Sequence, residues 1–576
     1  MSRKSSPFLN LSLRIMGEKS GDLDLVRGRV VLLATLFMLF YLGVMVRLTD
    51  ATVIQGYLND EEQISQTALS APAVQEQSNY RADIVDRNGV LLATSLKTAS
   101  LHADPKIILN PQETAAELVK IFTDMSYGDV LKKLQSPKRF VWIKRNMTPD
   151  EQRKVLEIGD PGLVFDYDYR RFYPQSNLFS HIIGYTNIDG HGQAGIERSF
   201  DKLLRTNHDP LKLTMDVRLQ HILRREVQNA ITDFTAIGGA GVIMDVNNGA
   251  VLASISLPDF DPHAPKTDIT APEMFNRVTL GVYELGSTFK IFTTAALLDQ
   301  KNTNLATQYD TSKPIRVGNH TIHDFHPEKR PLTIPEIFMV SSNIGTVHMA
   351  QDIGTEGLKK FYSDLGFFRK PDFEIDEVAS PIIPNPWREI NTMTASFGHG
   401  IAVTPLQLVS AASAVINGGL KVTPHLVEDG ADANKTQTRT RIISRETSLK
   451  MRQLLRLVVS HGTARKADVP GYEVGGKTGT AEKNIHGRYE GDKRIAVFVG
   501  SFPIYDPKYA IMILVDEPHP NKSSYGYATA GWVAAPAVGR VVAAMGGLTA
   551  MQPARDAADI SDPLLQYVAD KGSEDH

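Results

Sequence analysis

Tyr283-Glu284-Leu285-Gly286-Ser287-Thr288-Phe289-Lys290-Ile291-Phe292-Thr293-Thr294-Ala295-Ala296-Leu297-Leu298 sets a serine and a lysine three residues apart at the mouth of an apolar helix. Gly286 allows a sharp entry, so Ser287 falls near the helix N-terminus, where backbone N–H groups and the macrodipole favour developing negative charge. Lys290 shares its face, with about 5–6 Å between Cβ atoms. Two further short signals follow in order, Ser341-Ser342-Asn343 and Lys477-Thr478-Gly479-Thr480. Together they supply a nucleophile, a base within one helical turn, a second proton carrier and a cation on a glycine-softened strand. Acyl transfer through a serine ester needs that set. The decoys lack such context. Ser199-Phe200-Asp201-Lys202 lies in a polar stretch with no apolar helix after it, and Lys19-Ser20-Gly21 precedes the one strongly apolar segment.

That segment, Val30 to Val46, carries no charge and is bracketed by Arg29 and Arg47. Seventeen residues is the lower limit for a membrane span, and flanking arginines can snorkel to extend it. Basic residues crowd the N-terminal side (Arg3, Lys4, Arg14, Lys19, Arg27, Arg29), whereas only Arg47 follows before Arg81. The positive-inside bias therefore predicts a cytoplasmic tail (1–29), a transmembrane helix (30–46) and an extracytoplasmic remainder. No small-x-small cleavage site follows Val46, which favours a retained anchor over a signal peptide.

The 576 residues are too many for one core. A net charge of −3 with no basic block gives no reason to expect nucleic acid, and the absence of cysteine excludes disulfides and cysteine-ligated metals. Residues 49–80 are polar and read as an arm. Arg81 to Ala93 reads as strand, Asn-Gly turn and strand, and 110–160 as short amphipathic helices with proline breaks. No convergent catalytic side chains occur before 210, so 50–210 is read as a pedestal and docking module. From 211 to 550 the expectation is an α+β domain. It comprises a strand at Leu211–Asp216, a helix near Val217–Phe234 and a hairpin about Asn247-Asn248-Gly249. A helical insert, a strand pair about Asp506-Pro507 and an apolar helix over Val533–Met545 complete it. Residues 551–576 are expected to form a flexible acidic tail.

These motifs resemble those of class B penicillin-binding proteins, the monofunctional peptidoglycan transpeptidases. The likeness extends to Tyr173-Pro174, Gly195-Ile196-Glu197, Leu213-Thr214-Met215-Asp216, Gly400 to Leu408 and Gly462-Thr463-Ala464, and Ser-Ser-Asn is closer to the division branch than to the elongation branch. The resemblance implies the penicillin-binding fold, an antiparallel sheet flanked by helices plus a helical subdomain. It implies catalytic roles for Ser287, Lys290, Ser341, Asn343 and Lys477, with substrate held by Thr478, Gly479 and Thr480. Ser287 and Thr480 would lend backbone N–H groups to an oxyanion hole. The expected substrates are peptidoglycan stem peptides ending in D-Ala-D-Ala, with β-lactams trapped at the same ester and no cofactor. A polytopic septal glycosyltransferase and other division membrane proteins are the expected partners, at the bacterial cytoplasmic membrane. Two departures stand out: Leu285 where proline is frequent, and His399 where glutamine is common.

Several rivals are weaker. Gly471 to Thr478 fits G-x-x-x-x-G-K-T, but a phosphate loop must follow a strand and open a helix, and neither is expected here. A β-lactamase would need a water-activating carboxylate, and no E-x-x-x-N lies between Asn343 and Lys477. An elongation-type enzyme or a membrane β-lactam sensor would share the site. His320, His323 and His326 have metal-like spacing beside Asp324, yet Gly318 and Pro327 argue for a polar loop rather than a helix that would converge the rings.

Overall fold

The computed structural model describes residues 21–49, 80–318, 320–428, 439–485, 488–549, 551, 553 and 559–569. The expected arm at 49–80 and most of the N-terminal tail lie outside these. The chain divides into two units, 1–78 and 79–576. In the first, helix α1 runs over Gly21–Thr49, and its side chains from 30 to 45 are exposed. Among the described residues no helix is long and apolar enough to cross a membrane.

The second unit begins with a five-stranded sheet. Strands β1 (Ile84–Val85) and β2 (Leu91–Ala103) flank the Asn-Gly turn; β3 (Val141–Met147) and β4 (Leu163–Phe172) both pair with β2, and β5 (Leu211–Lys212) lies parallel to β1. Two of the prolines in 110–160 open helices rather than break them, and Pro137 lies in the loop after Tyr127–Leu134. Pro111 and Pro149 sit in the first turns of Pro111–Ile121 and Pro149–Ile158, capped by Asn110 and Thr148, where a missing N–H costs nothing. Residues between Ala99 and Phe165 enclose their own apolar core, while 82–93 and 173–211 pack into the larger core of the rest. That junction holds a buried ion cluster in which Arg81 and Arg171 both grip Glu197.

The alternation at Leu211–Asp216 yields only two strand residues. Beyond Lys212 each backbone donor is claimed by a different neighbour: Leu213 N by Val85 O, Thr214 N by Leu426 O and Asp216 N by Leu252 O. Helix α2 follows at Val217–Asp233. The second sheet is antiparallel throughout, in the order β8-β9-β10-β6-β7, with β6 (Gly238–Asp245), β7 (Val251–Leu257), β8 (Gly475–Ile485), β9 (Arg488–Phe502) and β10 (Tyr509–Asp516). Strand β10, Tyr-Ala-Ile-Met-Ile-Leu-Val-Asp, is buried along nearly its whole length because helices cover both faces. Each such aliphatic side chain is worth about 1.5–3 kcal/mol when fully buried. Between β7 and β8 lie α3 (Lys290–Gln300), α4 (Ile334–Val340), α5 (Asn343–Ile353) and α6 (Arg445–Ser460); α7 (Ala534–Leu548) follows β10.

The C-terminal segment is not a free tail where it is described. Residues 562–567 form a 3-10 turn with Leu564 buried. Asp559 takes the Arg456 guanidinium at 2.7 Å, Tyr567 O accepts from Thr333 Oγ1 at 2.7 Å, and Ala569 N donates to Glu336 at 3.0 Å. The expectation of fraying came from composition, which does not register these pairings.

Candidate active site

Ser287 lies in a 3-10 turn, Gly286–Phe289, that leads directly into α3. Residues three apart eclipse in such a turn, so Ser287 and Lys290 stack on one side. Gly286 has φ +53°, and its carbonyl oxygen lies 2.2 Å from where a Cβ on Gly398 would be. At Leu285, where the resemblance led to an expectation of proline, the carbonyl accepts from Thr288 Oγ1 at 2.9 Å and so ties the turn. Below, Phe289 and Phe292 pack on Phe367 with ring centroids 5.0 and 4.9 Å apart, which fixes the base of the helix.

Lys290 is fully buried. Its Nζ donates to Ser341 O at 2.6 Å, Asn343 Oδ1 at 2.7 Å and Ser341 Oγ at 3.2 Å. Ser341 ends α4 in the left-handed region at φ +65°. A non-glycine residue there is strained by about 1–2 kcal/mol, and its hydroxyl lies between two lysine side chains. Lys477 Nζ reaches that same Oγ at 3.0 Å. A continuous chain, Lys290–Ser341–Lys477, thus joins all three motifs. Ser287 is half-buried, and its Oγ has no hydrogen-bond partner among the described residues; such links often tighten only when substrate binds.

Burial holds Lys290 well below the usual lysine range, and the Lys477 charge adds to the effect. Burial also brings Lys477 down to about 7. Lys477 itself is fully buried. Strand β8 is the edge of its sheet, so one row of its backbone groups is open to an extended peptide. The Thr478 hydroxyl shares a hydrogen bond with Thr463 Oγ1 at 2.7 Å. Thr480 Oγ1 accepts from Ala530 N at 3.0 Å, which leaves its own proton to donate. Gly479 answers to a neighbour other than substrate: a Cβ there would lie 2.4 Å from Leu285 O and 2.9 Å from Thr288 Cγ2. The strand needs glycine to approach the nucleophile's turn.

The three motifs meet at one place, and comparisons with known proteins cover the chain around them. Residues 239–539 match the penicillin binding protein transpeptidase domain, and 76–232 the penicillin-binding protein dimerisation domain. The chain belongs to the penicillin-binding protein transpeptidase family. It is 36% identical to the probable peptidoglycan D,D-transpeptidase FtsI of Caulobacter vibrioides over 80% of each chain. It is 31% identical to the stage V sporulation protein D of Bacillus subtilis, over 80% of this chain and 77% of that one. Among solved structures, penicillin binding protein 3 of Mycobacterium tuberculosis, complexed with aztreonam, superposes with a TM-score of 0.65 at 23% identity, covering 83% of this chain and 97% of that one. At that identity the likeness speaks for the fold.

Rival features fall away in this frame. The segment after Gly476 continues as strand to Ile485, so no helix opens behind the apparent phosphate loop. Ser199 closes a short helix, Gly195–Ser199, with its Oγ buried and unpartnered. His323 and His326 are exposed, the His320 side chain lies outside the described residues, and no metal-holding group of acids, histidines or cysteines occurs among those described. His399 lies against Phe397 and Tyr489, at 5.3 and 5.6 Å between ring centroids, and Tyr489 in turn donates to Glu284 at 3.0 Å. The motif reading left out two polar residues. Thr463 pairs with Thr478 from outside all three motifs. Asp324 sat inside the histidine-rich loop, where nothing in the spacing ties it to Ser342.

Proposed function

We propose that this chain is a serine D,D-transpeptidase that cross-links peptidoglycan stem peptides at the division septum and is acylated by β-lactams. The Lys290–Ser341–Lys477 chain beside Ser287 carries the reading. Ser287 Oγ attacks the carbonyl between two D-alanines while Lys290, whose hold on its own proton burial weakens, takes the hydroxyl proton. The C–N bond breaks, and Ser341 passes a proton to the departing D-alanine amine. An amine from a neighbouring stem then attacks the ester, the new amide forms and Ser287 recovers its proton. The substrate lies along β8, with its terminal carboxylate at the Thr478 and Thr480 hydroxyls in the field of Lys477. Backbone N–H groups of Ser287 and Thr480 face the oxyanion, each donor typically worth about 2.7–4 kcal/mol.

We infer from the sequence that the segment 30–46 holds the chain at the cytoplasmic membrane with its N-terminus inside. The uncharged run Val30–Val46 and the arginines that bracket it support this. The septal assignment draws on Ser341-Ser342-Asn343 and on relatives named FtsI, and with it come a polytopic glycosyltransferase and other division proteins as partners. Labelling of membranes with a fluorescent penicillin tests the chemistry, and absence of a Ser287-dependent band would refute it. Depletion tests the branch: blocked septation with continued body growth is expected, and rounded cells that still divide would place the enzyme in elongation.

A further inference from the structure

The hairpin of Ile315–Val317 and His320–Ile322 stands beside the second motif on its own small apolar cluster, in which Ile322 meets Val347 of α5, Met393 and Phe397. Just past it the chain exposes His323, Phe325 and His326 but buries Asp324, which is 6% exposed. The Asp324 carboxylate accepts from Ser342 Oγ at 2.7 Å, from Asn343 N, and from Ile344 N at 3.0 Å. Two of these donors are first-turn N–H groups of α5, which have no partner within the helix and favour a negative charge. Ser342 Oγ is thereby oriented to accept from Gly345 N at 3.0 Å, capping the helix.

We propose that Asp324 is a positioning residue for this acyl-transfer site: its carboxylate sets the α4–α5 junction so that Ser341 and Asn343 meet Lys290. The inference rests on the transpeptidase reading. Ser341 occupies its strained conformation between two clamps. On one side Ser342 N donates to Ile337 O at 2.9 Å, closing α4; on the other, Ser342 Oγ is tied to Asp324. The neighbouring residue finishes the arrangement. Asn343 Nδ2 donates to His323 O at 3.1 Å, so its carbonyl oxygen is the end left to face Lys290. One loop therefore orients both side chains that hold the base.

Charge follows from the same placement. The titratable groups acting on Lys290 are Lys477 from β8 and Asp324 from the hairpin loop, and Lys290 in turn acts on His399 in the 398–400 turn. Lys477 lowers the proton affinity of Lys290 and Asp324 raises it. Losing the Asp324 charge therefore lets Lys290 become neutral at lower pH, and the rising limb of acylation against pH moves down.

The test uses the full chain in detergent and measures second-order acylation by fluorescent penicillin between about pH 5 and 10, which brackets ordinary and depressed lysine values. Asp324→Asn should lower the rate roughly ten- to a hundredfold, as expected for a sub-ångström misplacement, and should move the rising limb to lower pH. Asp324→Glu keeps the charge on a longer arm, so it should lose rate with the limb unmoved; it also serves if the asparagine variant folds poorly. Ser342→Ala should behave like the glutamate variant. A limb that stays in place in Asp324→Asn, with the rate falling only as melting temperature falls, would reduce Asp324 to a fold-holding residue and overturn the proposal. Absence of acylation in the unmodified chain would instead refute the transpeptidase reading itself.

Discussion

Gly479→Ala should damage both the fold and the chemistry, because the two depend on one close approach. The added Cβ would lie 2.4 Å from Leu285 O, about 0.6 Å inside the 3.0 Å that real Cβ contacts respect, with Thr288 Cγ2 at 2.9 Å and Val497 Cγ1 at 3.0 Å. Leu285 O cannot yield alone, since it holds the Thr288 hydroxyl at 2.9 Å and Leu285 is fully buried. The displacement passes to the turn that carries Ser287. Overpacking of this kind costs about 1–3 kcal/mol of stability. A shift of this order at the nucleophile should cut acylation roughly ten- to a hundredfold. Stopped-flow labelling with a fluorescent penicillin and a thermal melt measure the two effects. Gly547→Ala is the control, since its Cβ would meet nothing within 4 Å and alanine is favoured over glycine in a helix by about 0.5–1 kcal/mol. If Gly479→Ala acylates within about threefold of the parent, less than a 1 kcal/mol change in barrier, the close-approach argument fails. If it slows while melting unchanged, the glycine serves the substrate instead.

Intact-mass measurement with benzylpenicillin should show one adduct that disappears in Ser287→Ala and persists in Ser199→Ala; an adduct on the former would refute the assignment. Lys477 titrates at about 7 when folded and near about 10.4 when unfolded. Between these values the unfolded chain binds the extra proton, so this residue makes stability rise with pH. Lys477→Met should flatten that rise in melting temperature between about pH 7 and 10 while slowing acylation by orders of magnitude, and parallel pH slopes would contradict it. Arg81→Met should cost about 3–5 kcal/mol in a urea titration, because it strips a buried carboxylate, Glu197, of one of its two cations; a loss under about 1 kcal/mol would mean that Arg171 alone satisfies it.

The parts of the site that could be read from sequence are those whose chemistry is local. Ser287 and Lys290 share one turn, and Lys477 to Thr480 share one strand, so spacing alone conveys their relation. The hairpin at Asn248-Gly249 and the helix from Val217 were legible for the same reason. What escaped depends on pairings across the chain. Asp324 meets Ser342, Thr463 meets Thr478 and Ala530 N meets Thr480, each through a loop of unremarkable composition. A strand pattern at Gly479 says that a residue lacks a side chain, not that Leu285 O lies where a Cβ would be. The alternation at Leu211–Asp216 misled because a backbone that pairs residue by residue with different partners leaves the same hydrophobic trace as one that pairs with a single strand.

The docked segment 559–569 has a bearing on how the molecule comes into being. Thr333 and Glu336 form the capping box of α4, and Tyr567 and Ala569 fasten onto those same two residues. Helix α4 ends on Ser341. The bonds around the helix that presents this hydroxyl therefore include some contributed by residues made more than two hundred positions later. Their full set cannot exist until residue 569 has left the ribosome. A nascent chain that already holds every motif still lacks part of the brace behind one of them, so the cleft acquires its final rigidity only after residue 569 has been made.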